Sequence, residues 1–188
     1  MALGRKEIFV YAHWDGMEAS FLMGSLFATP SRGKEIFSFE YDKGWLQSDY
    51  AQIIDPDLKL FEGAQYLTDE KSNFGIFLDS SPDRWGRVLM MRKEAAKARK
   101  EERRPKTLME SDYLLGVYDN NRMGGLRFKT VQNGAFLDDN EAMAAPPFAA
   151  LRDLEFASLQ LEKENAPDNP KYLKWLNMLM APGSSLGG

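Results

Sequence analysis

The chain has 188 residues, of which 44% are hydrophobic and 12% aromatic, enough apolar surface to fold around a buried core. Its charged fraction of 28% and formal net charge of −4 are ordinary for a soluble domain and argue against a protein that coats nucleic acid over its whole surface. The absence of cysteine excludes disulfides and thiolate metal ligands, and the single histidine excludes a histidine-based metal cluster. No stretch approaches the roughly 18 apolar residues of a membrane span, so we expect a cytoplasmic protein without a metal site.

The first third of the chain predicts an antiparallel meander of β-strands. Residues 8–12, 20–27 and 34–41 are rich in strand-forming side chains, and turn sequences lie between them, Asp15-Gly16 first and residues 30–33 second. A short edge strand is predicted at residues 58–60. With the helices that follow, this pattern indicates an α+β fold: an antiparallel meander or small barrel-like sheet with packed helices.

The middle of the chain predicts two helices and a returning strand. A helix over residues 82–102 should begin at a serine cap, since Ser80 and Ser81 precede Pro82 and Asp83. A second helix is expected at residues 108–118, beginning at Thr107, and a strand at residues 126–131. The helical spacing predicts that the first helix has one apolar side, formed by Trp85, Val88, Leu89 and Ala96.

Residues 133–147 have the composition of a linker, with Asn133-Gly134 near their start and Pro146-Pro147 at their end. Beyond them, helices are predicted at residues 148–164 and 170–180. The predicted organisation is therefore a domain at residues 1–132, a linker at 133–147 and a helical segment at 148–188. We expect the apolar faces of this segment to be exposed, to drive dimerisation, or to fold back onto the first domain.

The predicted long helix is basic. Residues 84–106 contain ten Lys or Arg and three acidic residues. Such a helix could bind phosphates or an acidic partner, or it could be an ordinary solvated face with interspersed glutamates. The residues of the candidate partner or phosphate surface are Arg92, Lys93, Lys97, Lys100 and Arg104.

Other polar residues predict structure rather than chemistry. His13 lies beside a turn, and no carboxylate pair has a spacing that selects acid or base catalysis. The acidic residues expected to stabilise turns are Asp15, Asp55, Asp57 and Asp79. At the end of the sequence, a glycine-rich segment could be the opening of a phosphate-binding loop or a flexible tail. Its residues are Gly183, Ser184, Ser185, Leu186, Gly187 and Gly188.

Three of these segments, taken in order, resemble the HipA family of bacterial serine/threonine kinase toxins. Residues 77–87, FLDSSPDRWGR, are similar to the family's phenylalanine-bearing strand that ends at a Pro-Asp helix start. Residues 108–117 with Met123 to Leu126 resemble its next helix and the glycine-containing return to a strand. Residues 184–188 resemble the start of the glycine-rich kinase loop. The resemblance covers most of residues 8–131 and resumes at the end of the sequence.

The resemblance implies an N-terminal sheet-and-helix domain packed on a kinase core that an antitoxin restrains. It matches Ser185 to the loop serine that such kinases autophosphorylate, with Ser184 as its neighbour. No residue of this sequence is matched to the family's ATP-contacting lysine, catalytic aspartate or metal-binding aspartate. We therefore expect ATP and Mg²⁺ to belong to the full-length kinase, and this chain to be inactive in phosphoryl transfer by itself.

Two alternatives remain open from the sequence. The chain could be a stand-alone regulatory subunit, similar to an antitoxin, that docks on a separate kinase. It could also be a nucleic-acid-binding module that uses the basic helix, in which case its binding would weaken steeply with salt. The expected partners are an antitoxin or regulator protein and the kinase lobe, with a possible homodimer, no membrane, and DNA contacted at most through an antitoxin.

Overall fold

A computed structural model describes residues 4–67, 71–119, 122, 124–137, 151–163 and 166–180. It contains a five-stranded antiparallel sheet and six α-helices within those residues. The strands are β1 (Lys6–Ala12), β2 (Phe21–Ser31), β3 (Lys34–Tyr41), β4 (Gln65–Tyr66) and β5 (Leu126–Lys129). The helices are α1 (Lys43–Leu46), α2 (Gly75–Asp79), α3 (Arg84–Lys100), α4 (Glu110–Leu115), α5 (Leu151–Leu161) and α6 (Tyr172–Met180).

The sheet has the order β4-β3-β2-β1-β5, so the first three strands form the predicted meander, β4 pairs with the outer edge of β3, and β5 returns beside β1. The α+β class is confirmed, but the sheet is open rather than closed into a barrel. Arg32 and Gly33 both adopt positive φ between β2 and β3, as a two-residue hairpin loop requires. Beside an irregularity in the β1/β2 pairing, Gly24 lies against the Glu40 carbonyl oxygen, where a Cβ would not fit.

One face of the sheet is covered by helices and forms the larger core. Alternate residues of β1 and β3 are buried there, as the period of two in a strand dictates. Trp45 of α1, Phe77 of α2 and Leu114 of α4 pack onto that face. Phe77 contacts three other aromatic rings: Phe39 at 5.5 Å, Phe74 at 6.0 Å and Phe128 at 6.3 Å between centroids.

The strand expected at residues 77–79 is wrong, because these residues belong to helix α2. Phe74 and Phe77 are both fully buried, and a spacing of three places them on one side of a helix, whereas a strand would alternate them. The helix is fixed by a distant residue: Asp55 accepts a hydrogen bond from the Ile76 amide at 2.8 Å. The structural interpretation of Asp55 is confirmed, since its other oxygen accepts from the Asp57 amide at 2.8 Å.

The edge strand expected at residues 58–60 is also wrong, and the edge strand is β4 instead. The Gln65 side chain takes both backbone groups of Lys59, accepting from its amide at 2.7 Å and donating to its carbonyl at 2.8 Å. These two hydrogen bonds replace the backbone hydrogen bonds that a neighbouring strand would have made with Lys59. Leu58 is buried in the larger core by the turn rather than by a strand.

Helix α3 is capped by Asp83, not by a serine. The Asp83 carboxylate accepts from the Gly86 amide at 2.8 Å. Ser80 and Ser81 are unavailable because their hydroxyls donate to the carbonyls of Ile76 and Phe77, each at 2.8 Å. The serine cap predicted from local sequence is therefore replaced by an aspartate three residues later.

The remaining predicted elements are found with shorter bounds. Helix α4 begins at Glu110 rather than near Thr107, and β5 ends at Lys129. Of the predicted linker, residues 133–137 pack on the sheet: the Leu137 amide donates to the Phe128 carbonyl at 3.0 Å, and the Phe136 ring lies 5.3 Å from that of Tyr11. Residues 138–147 lie outside the described residues.

Helices α5 and α6 fold back onto the first domain, one of the three expected outcomes. Trp175 and Leu176 of α6 form a second core with Leu89 and Met90 of α3. Among the helices that the structure describes, none has both the length and the apolar character needed to cross a bilayer.

Candidate functional site

Helix α4 lies between the two cores, since Leu114 belongs to the larger core and Tyr113 to the second, and the residues that attach this helix to the sheet form a largely buried polar junction. Glu35 of β3, whose side chain is 2% exposed, accepts hydrogen bonds from the amide of Ser111 at 2.8 Å and from its hydroxyl at 2.6 Å. Lys6 of β1 donates to the Ser111 hydroxyl at 2.6 Å and to Asp112 at 3.0 Å. The start of α4 is thereby fixed to the sheet by residues more than seventy positions away in the chain, since Glu35 and Ser111 are separated by 76.

Asp112 completes this junction. Burial raises the pKa of its carboxyl group, but hydrogen bonds from Lys106, from the Met109 amide and from Lys6 outweigh that effect, so the net pKa is lowered. The carboxylate is therefore held in its charged form, which is the form that caps α4 through the Met109 amide at 2.9 Å.

Helices α3 and α4 are joined directly by an ion pair. Arg87 donates to both carboxylate oxygens of Glu110, at 2.7 and 2.8 Å, and its guanidinium lies 4.5 Å from the centre of the Tyr113 ring. The hydrogen bond to Glu110 raises the pKa of Arg87. Close packing supports the same contact, because a Cβ on Gly116 would overlap with the Met90 side chain. Two parallel hydrogen bonds and a glycine contact therefore set the distance and angle between these helices.

Along α3, one stripe changes from apolar to basic. Gly86, Leu89 and Met90 are buried, and the same helical spacing continues through Lys93, Lys97 and Lys100. Lys93 is half-buried with its ammonium 5.6 Å from the centre of the Tyr118 ring, while Lys97 and Lys100 are exposed. The last turns of α3 thus carry a cationic stripe, whose lysines also lie at the negative end of the helix dipole.

The five residues of the predicted partner surface do not share one environment. Lys93 belongs to the half-buried stripe, Lys97 lies 3.9 Å from Glu101, and Arg104 is exposed after the helix ends. Arg92 is half-buried on another side of α3, beside Trp85. The predicted single apolar side of α3 is divided in the structure: Leu89 is buried, whereas Trp85 is 42% exposed, because the helix turns Gly86 and Leu89 toward the core.

Part of the basic segment is neutralised internally. Arg103 pairs with Glu94 and with Glu101, and the Lys106 amide donates to Glu94 at 2.8 Å. The hydrogen bond from Arg103, followed by that from the Lys106 amide, lowers the pKa of Glu94 to about 2. Glu94 and Glu101 therefore neutralise charge at the turn after α3. They do not make the whole helix an ordinary solvated face with balanced charge.

A second polar group lies at the end of the sheet beside His13. Arg127 pairs with Asp119, and Arg122 donates to the carbonyls of Ser80 at 2.7 Å and Leu114 at 2.9 Å. Burial lowers the pKa of Arg122 to about 10. His13 contacts Ser20 at 2.9 Å, which fits its expected role beside a turn. Arg122 therefore acts as a structural cross-link between α2 and α4.

A cleft with a volume of about 580 Å³ lies beside the polar junction. Its lining includes Lys34, Ser72, Thr107 and Glu110. The described residues contain no group of three or more metal-ligating side chains placed to hold an ion. The lining of this cleft therefore offers hydroxyl and charged groups.

The glycine-rich segment at residues 183–188, including Ser184 and Ser185, lies outside the described residues. Its assignment to a nucleotide loop stays a prediction. Sequence reasoning missed Glu35, Ser111 and Arg122, because their partners are distant in the chain. Within the sequence, a local indication of the polar contacts around α4 was Glu110, an acidic residue in the first turn of a predicted helix.

Comparisons with protein-family models, with curated proteins and with solved structures found no match.

Proposed function

We propose that this chain is the N-terminal portion of a HipA-like serine/threonine kinase toxin. In this role it supports the kinase lobe and offers a surface to an antitoxin or other regulator, without catalysing phosphoryl transfer itself. The proposal places it in the cytoplasm, which the absence of cysteine also fits.

The observation that carries the proposal is the contact between the two internal segments on which the resemblance rests. Residues 77–87 and 108–117 meet through the Arg87–Glu110 ion pair, and Met90, three residues beyond the first segment, packs on Gly116 of the second. Arg87, Glu110 and Gly116 of these segments thus contribute together to the packing of α3 on α4. A sequence pattern whose members contact each other is better support for a shared fold than matches scattered over the surface.

The fold supports a scaffolding role. The segment that would lead into a kinase core, α5 and α6, is docked on α3 through Trp175 and Leu176, with Phe156 and Leu159 left 56% and 54% exposed. The Phe156 ring lies 6.4 Å from that of Trp175, so the exposed side of α5 adjoins the docked one. A following lobe could pack on this exposed side and be held at a fixed position relative to the sheet.

In this proposal, ATP and Mg²⁺ bind to the full-length kinase rather than to the described part of this chain. The residues matched to the nucleotide loop lie outside it, and the described carboxylates form no metal-binding group. When bound to the full-length kinase, these ligands would supply the transferred phosphoryl group and neutralise its charge. The described residues of this chain would hold the kinase lobe that binds ATP and Mg²⁺.

The test compares three preparations: this chain, this chain extended by the next ~200 residues of its reading frame, a typical domain length, and the extension alone. Isothermal titration measures ATP–Mg²⁺ binding in each. We expect binding by the extended chain and none by this chain. A kinase encoded by a separate reading frame that forms a stable complex with this chain would support the regulatory-subunit alternative. ATP binding by this chain alone would contradict the proposal.

A further inference from the structure

Helix α3 has a second apolar side that faces solvent. Starting at Trp85, steps of three or four residues pass through Val88, Met91 and Ala95, which share one side of the helix. Met91 is 48% exposed, Ala95 is exposed, and Val88 is half-buried. We call these four residues the outer face of α3. Because the helix is apolar on both the core side and this side, core packing accounts for only one of its two apolar sides.

Two arginines flank the outer face, and neither is neutralised within the described residues. Arg84 precedes Trp85 and is exposed, while Arg92 follows Met91 and is half-buried. Neither makes a hydrogen bond or an ion pair with a described residue. The only carboxylate of the helix, Glu94, is held by Arg103. The outer face is therefore apolar along its centre and positively charged at its flank.

We propose that the outer face of α3 docks an acidic amphipathic helix of a partner protein. Tryptophan, methionine and arginine are the residues most enriched at the centres of protein interfaces, and all three are exposed here without an internal role. The partner's apolar side would pack between Trp85 and Met91, as helices pack through residues spaced by three and four. Its carboxylates would pair with Arg84 and Arg92, which makes the charge complementary.

Two other occupants fit less well. A second copy of this chain, packed through the same face about a two-fold axis, would bring Arg84 and Arg92 of one copy near those of the other without a carboxylate between them. A nucleic acid would need several cations along its phosphates. The exposed lysines of α3, Lys97 and Lys100, lie on the other stripe, and the centre of the outer face has no hydrogen-bond donor besides the Trp85 indole.

The outer face of α3 would be the surface at which the regulator of the proposed function binds, so this proposal rests on the proposed function. Its test uses neither ATP nor kinase activity. The two ideas can therefore fail separately.

The probes are two fluorescein-labelled helical peptides of 18 residues with the same Leu/Phe stripe, one carrying glutamate and the other lysine at every remaining exposed position. Fluorescence anisotropy at low salt measures their affinity for the intact chain. We expect the glutamate peptide to bind about tenfold more tightly, the effect of two exposed ion pairs. The double variant R84E/R92E should reverse this preference, and W85A should weaken both peptides.

The matched control is K97E/K100E, which changes the net charge by the same amount on the same helix but on the other stripe. It should keep the wild-type preference, and R84K/R92K should keep it as well. All variants change residues outside the buried core, and circular dichroism verifies that each remains helical. Equal affinity for both peptides would overturn the proposal, as would loss of preference in K97E/K100E with retention in R84E/R92E. Concentration-dependent dimerisation that W85A abolishes would overturn it in favour of a second copy.

Discussion

Replacing Glu35 with glutamine should destabilise the whole domain, although the two side chains have nearly the same shape. The carboxylate accepts two hydrogen bonds from Ser111, at 2.8 and 2.6 Å, and lies 3.5 Å from the Lys6 ammonium. Glutamine keeps one acceptor oxygen for the Ser111 amide, but its NH₂ group then faces the Ser111 hydroxyl, which already accepts a hydrogen bond from Lys6 and can no longer donate toward residue 35. One charge-assisted hydrogen bond is weakened and the other is lost, which together cost about 2–3 kcal/mol.

Urea unfolding followed by circular dichroism measures this cost. With an m-value of about 2 kcal/mol per molar, the midpoint should fall by roughly 1–1.5 M. The control is Glu40→Gln on the same strand, where the side chain is exposed and the change should stay within about 0.5 kcal/mol. A double-mutant cycle with Ser111→Ala should give a coupling of about 1 kcal/mol or more. If E35Q and E40Q unfold at the same urea concentration, the junction does not hold the sheet and helices together.

Three further predictions concern packing and charge. Gly24→Ala should destabilise by more than about 1 kcal/mol, because its Cβ would overlap with backbone, whereas Gly4→Ala, with open space around it, should be near neutral in the same unfolding assay. The contribution of Glu94 to stability, whose pKa is lowered to about 2, is complete above the ordinary value of about 4.5 and is lost as the pH falls toward 2. In an NMR titration, the Lys106 amide should therefore report a midpoint near 2, and a midpoint near 4.5 would refute the contact. Leu176→Ala should speed hydrogen exchange in α5 and α6 while leaving β1 to β3 protected, since it opens a cavity only in the second core; equal loss of protection in the sheet would show that the two cores do not unfold separately.

The elements that the sequence predicts well are those whose determinants are local. Strand β3 has the predicted bounds, because residues 34–41 alternate between core and solvent and a positive-φ turn at Arg32-Gly33 precedes them. Helix α3 is found within two residues of its predicted ends, since Pro82-Asp83 and the residues before Pro105 limit it locally.

The elements that were predicted wrongly are determined by distant partners. Helix α2 depends on Asp55, 21 residues earlier in the chain, and the serines expected to cap α3 are engaged by the carbonyls of α2. The division of the predicted apolar side of α3, with Leu89 buried and Trp85 exposed, has a related reason. Helical spacing alone allows either of two apolar sides of α3 to face the core, and only the position of α4 and α6 decides between them.

For the candidate site, the sequence identified the basic helix and its residues but not their environments. It could not show that Arg103 is neutralised by Glu94, or that Arg92 lies away from Lys97 and Lys100. Nothing in the sequence near Glu35 indicates that its carboxylate is buried and hydrogen-bonded, because its partner Ser111 is 76 residues away.

The measurement that tests the central claim most directly is the location of phosphate after incubation with ATP and Mg²⁺, determined by peptide mass spectrometry. It compares this chain with the extended chain and with the Ser185→Ala and Ser184→Ala variants of the extended chain. The account predicts phosphate on Ser185 in the extended chain, its loss in S185A, its retention in S184A, and none on this chain alone. Phosphate on this chain alone, or an extended chain that is never labelled, would contradict the assignment to a HipA-like kinase.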